Sequence, residues 1–181
     1  MLTTWGSHGD GPGQFRFPVR LCRSHDGHVF VAEYGGNDRV QKFTEDGDFV
    51  LEFGTFGDGE WQFERPSGVA WHDGRVYVSD AMAGRVLVFS DRGEPLERLP
   101  VAGVTLDLPY DVDVSPEGDL YLVEYGGGCL TALRADGSLI GRWLSVGQGA
   151  DQIRTPWGLA LCGDRIMVAD TGNRRLLEVR L

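Results

Sequence analysis

The chain reads as an all-β protein made of four copies of one four-stranded antiparallel unit. Three observations predict this. An acidic residue recurs at one place in each copy, Glu33, Asp80, Glu124 and Asp170, at spacings of 47, 44 and 46 residues. Each is preceded by a proline (Pro18, Pro66, Pro109, Pro156), with a turn glycine between the two (Gly27, Gly74, Gly118, Gly163). No segment carries the 3.6-residue apolar period of a helix, whereas several alternate with the period of two expected of a half-buried strand. A repeat of about 45 residues with this punctuation is that of propeller blades. The predicted fold is therefore a β-propeller of four four-stranded antiparallel blades.

The second copy justifies each element in order. Ser67 to Trp71 is short and apolar, as an inner strand should be. His72-Asp73-Gly74 follows, and Asp-Gly is a strong hairpin signal. Arg75 to Ser79 alternates polar and apolar; Asp80 to Gly84 turns the chain; Arg85 to Ser90 forms a third strand. Glu94 to Leu99 follows the turn at Arg92-Gly93 and contains Pro95, which suits an outer edge. The other copies align with it, giving blades at about 18–53, 66–99, 109–144 and 156–181. The fourth copy stops after its third strand, and Leu2-Thr3-Thr4-Trp5-Gly6 aligns with the fourth strand Val50 to Gly54. Residues 2–6 are thus expected to complete the last blade and close the ring, which would remove an unpaired edge.

Composition narrows the partners. With 27 acidic and 17 basic residues the formal charge is −10, which repels a phosphate backbone and speaks against nucleic acid. No apolar run approaches the ~20 residues needed to cross a bilayer as a helix. The start, MLTTWGSHGDG, lacks the basic and apolar regions of a signal peptide. The three cysteines, Cys22, Cys129 and Cys162, form no C-x-x-C and are expected as small buried hydrophobes. Together these suggest a cytoplasmic protein.

The signature Gly57-Asp58-Gly59, Phe63, Pro66-Ser67-Gly68-Val69-Ala70, Val76 to Asp80, Arg85 to Phe89 and Asp91-Arg92-Gly93 resembles the NHL-repeat family of β-propellers. The first copy matches through Gly9-Asp10-Gly11-Pro12-Gly13-Gln14-Phe15, Pro18 and Asn37 to Phe43, and the fourth through Asp170 to Arg175. The third lacks the Gly-Asp-Gly lead and has Cys129 where the others have arginine. The resemblance implies a rigid binding disk. It is silent on chemistry, because one fold hosts many activities. Family members usually have about six blades, against four here, so a larger ring or self-assembly of two copies stays open beside the closed ring. Closure implies a monomer, and an incomplete ring a homodimer.

The repeated motif, Glu33 with Arg39, Asp80 with Arg85, Glu124, and Asp170 with Arg175, reads as scaffold. A group present in every blade does not make one site. The acid is expected to accept N–H bonds from its own turn, and the arginine to pair with an acid of its own or the next blade. The departures from symmetry are more informative. Copies one and three carry Glu-Tyr-Gly-Gly, placing Tyr34 and Tyr125 on opposite sides of one mouth. Two residues past the prolines stand Arg20, Gly68, Asp111 and Gly158, so Arg20 and Asp111 can meet across a narrow channel. With Tyr110 and Trp157 these residues form the candidate ligand site.

Other chemistry is thin. His8, His25, His28 and His72 show no metal-ligand spacing on one element, unlike the amidating lyase propellers, so no metal is expected. Asp111 and Asp113 alternate toward one face and offer a calcium site as the one cofactor to consider. No Ser lies in G-x-S-x-G, and Cys22 and Cys162 have no paired His. RNA-binding NHL domains use a basic face that this chain lacks. The sequence therefore points to a non-enzymatic binding or scaffolding propeller that presents a loop face to a protein, peptide or small polar ligand. A lyase or hydrolase with its site at the channel mouth is the alternative.

Overall fold

The computed structural model describes residues 3–180, and they form a propeller of four antiparallel blades with one short 3-10 turn, Thr171–Asn173. Blade 1 holds β1 (Phe17–Arg23), β2 (Val29–Tyr34), β3 (Arg39–Phe43) and β4 (Phe49–Phe53). Blade 2 holds β5 (Pro66–His72), β6 (Arg75–Asp80), β7 (Arg85–Ser90) and β8 (Pro95–Arg98). Blade 3 holds β9 (Pro109–Val114), β10 (Leu120–Glu124), β11 (Cys129–Leu133) and β12 (Leu139–Trp143). Blade 4 holds β13 (Gly158–Cys162), β14 (Arg165–Asp170) and β15 (Arg175–Arg180). Each blade sheet is a meander of sequential neighbours, and two short parallel pairs, Ser7–His8 with Gln14–Phe15 and Ser145–Val146 with Gln152–Ile153, lie in the loops leading into blades 1 and 4. The turn at Asp73-Gly74 has positive φ at both residues, as a tight hairpin requires.

The period of two sorts each strand's residues between neighbouring blades. Phe30 and Ala32 of β2 face Val76 and Val78 of β6 across the first seam. Tyr77 of β6, with Val86 and Val88 of β7, faces Leu120 and Leu122 of β10 across the second. Leu130 faces Leu159, Ile166 and Val168 across the third. Gly68 sets the closeness of the inner strands, because a Cβ there would lie 2.8 Å from the backbone of Asp111 and Val112. The core is thus three interblade layers rather than one central cluster, as expected of stacked repeats.

The blade 4 edge departs from the sequence expectation. Thr3–Gly6 makes no ladder, and among the described residues blade 4 has three strands; Leu2 lies outside the described residues. Trp5 instead packs on Phe43 of blade 1 and on Phe15 of the loop leading into it, with ring centroids 4.8 and 6.3 Å away. Phe53 meets Phe89 of blade 2 in the same way, at 4.7 Å. The segment therefore keeps the contact that the end of a fourth strand makes with the following blade, but lacks the ladder to β15. Both outer faces of the arc are open in consequence. Leu21 is 64% exposed where its counterpart Val69 is 1% exposed, and Leu176 on β15 is 71% exposed. Cys162 is also exposed, contrary to the expectation that the cysteines are buried. No helix among the described residues is long and apolar enough to cross a membrane.

Candidate functional site

The repeated acid fastens the loop that leads into its own blade. Glu33 is fully buried and accepts the Arg16 N–H at 2.8 Å, the Arg39 Nε at 2.7 Å and the Gln41 Nε2 at 3.0 Å. Arg39 then donates to the carbonyls of Asp10, Gly11 and Gln14 at 2.9, 3.0 and 3.0 Å, and to Glu52 at 2.6 Å. In blade 2, Asp80 accepts the Glu64 N–H (2.7 Å) and the Arg85 Nε (3.0 Å), and Arg85 donates to the carbonyls of Gly59 and Gln62. In blade 4, Asp170 accepts the Arg154 N–H and the Arg175 Nε, both at 2.7 Å. The backbone N–H groups come from the preceding loop and not from the acid's own turn, whose only part is a side chain, as when Asn173 donates to Asp170 at 2.8 Å. A fully buried carboxylate needs several donors, and that loop supplies them. Burial pushes Asp80 up to about 6 against the pull of Arg85. In the more open blade 4, burial of Asp170 is outweighed by the Arg154 N–H, Asn173 and Arg175, which hold it below its ordinary value.

Blade 3 solves the same problem differently. Glu124 is buried and accepts the Asp107 N–H at 2.7 Å, but Cys129 stands where the arginine should be. Arg142 reaches in from β12, with Nη2 at 3.0 and 2.9 Å from the two carboxylate oxygens and 3.1 Å from Cys129 Sγ. Thr131 also donates to Glu124. Sequence reasoning missed Arg142. The available signal was Cys129 itself, since an acid left without its usual cation calls for another.

The mouth lies where the inner strands begin and the second strands end. In blades 1 to 3 a β-bulge follows the proline, at Val19, Ser67 and Tyr110, and a bulge re-aims the residue it inserts. The residue before the proline has positive φ in three blades, Arg65 (74°), Leu108 (53°) and Thr155 (43°). Such strain is tolerated only where the surroundings enforce it.

The mouth side chains form a connected ribbon. Phe17 stacks on Tyr34 at 5.9 Å. The Arg65 guanidinium carbon lies over the rings of Tyr34 and Tyr110, at 4.5 and 5.1 Å. Tyr110 stacks on Tyr125 at 4.7 Å and meets Trp157 at 5.9 Å. The structure thus brings together Tyr34, Tyr110, Tyr125 and Trp157, and adds Phe17 and Arg65, which sequence reasoning did not name. Both are legible only as the residue immediately before the proline of their copy; the sequence says nothing of which rings they meet.

Below the ribbon, Arg20 crosses the axis. Its Nε lies 3.0 Å from Asp111 Oδ1 without the alignment of a hydrogen bond, and its Nη2 donates to the Leu159 carbonyl at 3.0 Å. Asp111 accepts the Leu159 N–H at 2.9 Å, and Asp113 accepts the Leu161 N–H at 3.0 Å. Both carboxylates therefore serve the inner edge of β13. Burial pushes Asp111 up to about 7, opposed by Arg20 and by the Leu159 and Val112 N–H groups. Arg20, Asp111 and Leu159 tie blades 1, 3 and 4 together at the centre.

The rest of the molecule converges less. Burial pushes the Cys22 thiol up to about 12, which keeps it from acting as a thiolate. His28 sits beside Asp26 in the first turn of blade 1. Among the described residues no three His, Cys, Asp or Glu side chains gather as a metal site would require. An open cleft of about 550 Å³ lies between blades 3 and 4 at the end opposite the mouth, lined by Ser115, Glu117, Tyr121 and Arg165. Its polar groups do not converge on one point, so the mouth is the better candidate.

Comparison with known proteins places this geometry among propellers. No family model matches the chain. It is 26% identical over 176 residues to human NHL repeat-containing protein 3, covering 84% of this chain and 48% of that protein. It is 36% identical over 76 residues to RING finger protein nhl-1 of Caenorhabditis elegans, covering 42% of this chain and 8% of that protein. The chain thus spans about half the length of one curated relative and a small part of the other. Among solved structures, virginiamycin B lyase of Staphylococcus aureus superposes with a TM-score of 0.61 at 15% identity, over 91% of this chain and 55% of that one. A streptogramin B lyase superposes with a TM-score of 0.62 at 17% identity, over 91% of this chain and 54% of that one. At these identities the two structures speak for the fold alone.

Proposed function

We propose that this chain, a β-propeller of NHL-type repeats, is a binding module whose mouth face docks a protein partner. The observation that carries the reading is the ribbon Phe17, Tyr34, Arg65, Tyr110, Tyr125 and Trp157, drawn from all four blades and ending in two rings more than half exposed. Exposed aromatic and arginine side chains on rigid strands are the residues that dominate protein interfaces, because they bury much area at little entropic cost. The ribbon's groups stack and donate hydrogen bonds, which favours recognition over turnover. The test is capture of partners from cell extract on three immobilised proteins, read by mass spectrometry. Partners should be held by the parent chain and by a far-end control, His72→Ala, and lost by Tyr110→Ala with Trp157→Ala. Equal capture by all three would remove the mouth from consideration.

A second reading rests on a different observation, the open faces at Leu21 and Leu176 and the lack, among the described residues, of a fourth strand beside β15. A second copy could dock there. The central tie of Arg20 to blades 3 and 4 works against it, since a ring enlarged by four more blades would pull that contact apart. Light scattering decides: a mass of 19.9 kDa removes this reading, and twice that value supports it.

A further inference from the structure

We infer that Arg65 is the ligand-reading group of the mouth, and that it takes a carboxylate carried beside an aromatic or apolar group, as in an acidic-aromatic peptide segment. This rests on the binding reading above and narrows it. The first argument is an accounting of donors. A guanidinium has five N–H groups. Arg39 donates five hydrogen bonds within the protein, Arg175 four and Arg85 three. The Arg65 guanidinium donates one, to the Tyr34 hydroxyl at 3.4 Å. Its Nε is buried with no acceptor, and no carboxylate among the described residues lies within ion-pair distance. Buried donors are normally satisfied, so an exception within an aromatic ribbon that ends in exposed rings calls for a partner.

The second argument is preorganisation. The Arg65 backbone N–H is fixed by Asp38 Oδ2 at 2.8 Å, its φ is held at +74°, and its guanidinium lies over two tyrosine rings. A planar cation fixed in this way has already lost the freedom that binding would cost, and its fork matches a carboxylate. The third argument concerns what accompanies the charge. Trp157 and Phe17, 57% and 58% exposed, lie at the two ends of the ribbon, so an apolar group next to the carboxylate has a ring to cover. The overall charge of −10 repels a polyanion, while a single carboxylate beside one arginine is accepted.

The test is a titration of the isotopically labelled chain, followed by amide chemical shifts. The probes are phenylacetate, its neutral counterpart phenylacetamide, and the capped dipeptides acetyl-Asp-Phe-amide and acetyl-Asn-Phe-amide. The expected result is saturable shifts at residues around Arg65, Tyr110 and Trp157, with each acid binding at least tenfold tighter than its amide. Tighter binding of the Asp dipeptide than of phenylacetate assigns a peptide ligand, and the reverse assigns a free aromatic acid. Arg65→Gln should erase the preference for acid over amide, and Arg65→Lys should keep part of it. The spectra themselves show whether each variant is folded. Mouth shifts with acid and amide equal in the parent chain would overturn the role of Arg65 and leave the mouth as a binding face. Shifts nowhere near the mouth with any probe would overturn the binding reading as well.

Discussion

Replacing Asp111 by Asn should change how stability depends on pH, and the structure fixes both sign and size. Asp111 is 2% exposed, and burial pushes it up to about 7 although Arg20 and two backbone N–H groups favour its charge. In the unfolded chain an aspartate is half-ionised at about pH 3.9 and loses its proton as pH rises through that value. Between that value and about 7 the folded state therefore binds the proton that the unfolded state has released. Stability then falls as pH rises through this window and levels off above it. From pH 5 to pH 7.5 roughly two pH units lie below the folded value, and at about 1.36 kcal/mol per unit the parent should lose about 2–3 kcal/mol through this one group. The variant lacks the group, and contributions common to both proteins cancel in the difference. Urea unfolding of both proteins at pH 5, 6 and 7.5 gives that difference directly. The variant should gain on the parent by about 2–3 kcal/mol across the range. A constant difference would mean that Arg20 and the N–H groups fully offset burial. A difference of the opposite sign would refute the description of this centre.

Two further predictions concern the scaffold. Arg39→Ala leaves the fully buried Glu33 without its cation and should cost about 3–5 kcal/mol in urea unfolding, whereas Arg175→Ala also strands a fully buried acid, Asp170, but removes an arginine that is 32% exposed and should cost less, about 1–3 kcal/mol; equal losses would mean that exposure of the arginine does not set the strength of the repeated pair. Gly68→Ala should cost about 1–3 kcal/mol, because the added methyl meets the backbone of blade 3. Gly74→Ala meets nothing within 4 Å and should cost about 1 kcal/mol through its φ of +76° alone. Thermal unfolding orders the two glycine variants, and a reversed order would place the second seam elsewhere.

The fold was legible because its signals are backbone signals. Proline, turn glycine and alternating apolar residues each constrain the chain locally, and four copies in phase leave little choice of architecture. What the phase could not specify is which sheet a segment joins. The alignment of residues 2–6 with a fourth strand identifies the kind of strand, and the observed Trp5 contact with blade 1 agrees with that kind, while Thr3–Gly6 stays off the β15 edge. Arg142 was hidden for a related reason. It replaces a missing arginine from across the sheet, 13 residues from Cys129, and no period of the sequence relates the two.

The mouth shows why departures from a repeat carry more information than the repeat. The alternation of Glu-Tyr-Gly-Gly in copies one and three suggested two tyrosines facing each other across an axis. Tyr34 and Tyr125 belong to one ribbon in which Arg65, from the turn into blade 2, and Tyr110, from Tyr125's own blade, stand between them. Arg65 occupies the place held by Leu108 and Thr155 in the next two blades, and the backbone is strained there in all three. The strain thus belongs to the scaffold, and the guanidinium is what one copy placed on it. A side chain that the scaffold holds out but does not satisfy is where a partner's chemistry can enter, and in this chain that position is Arg65.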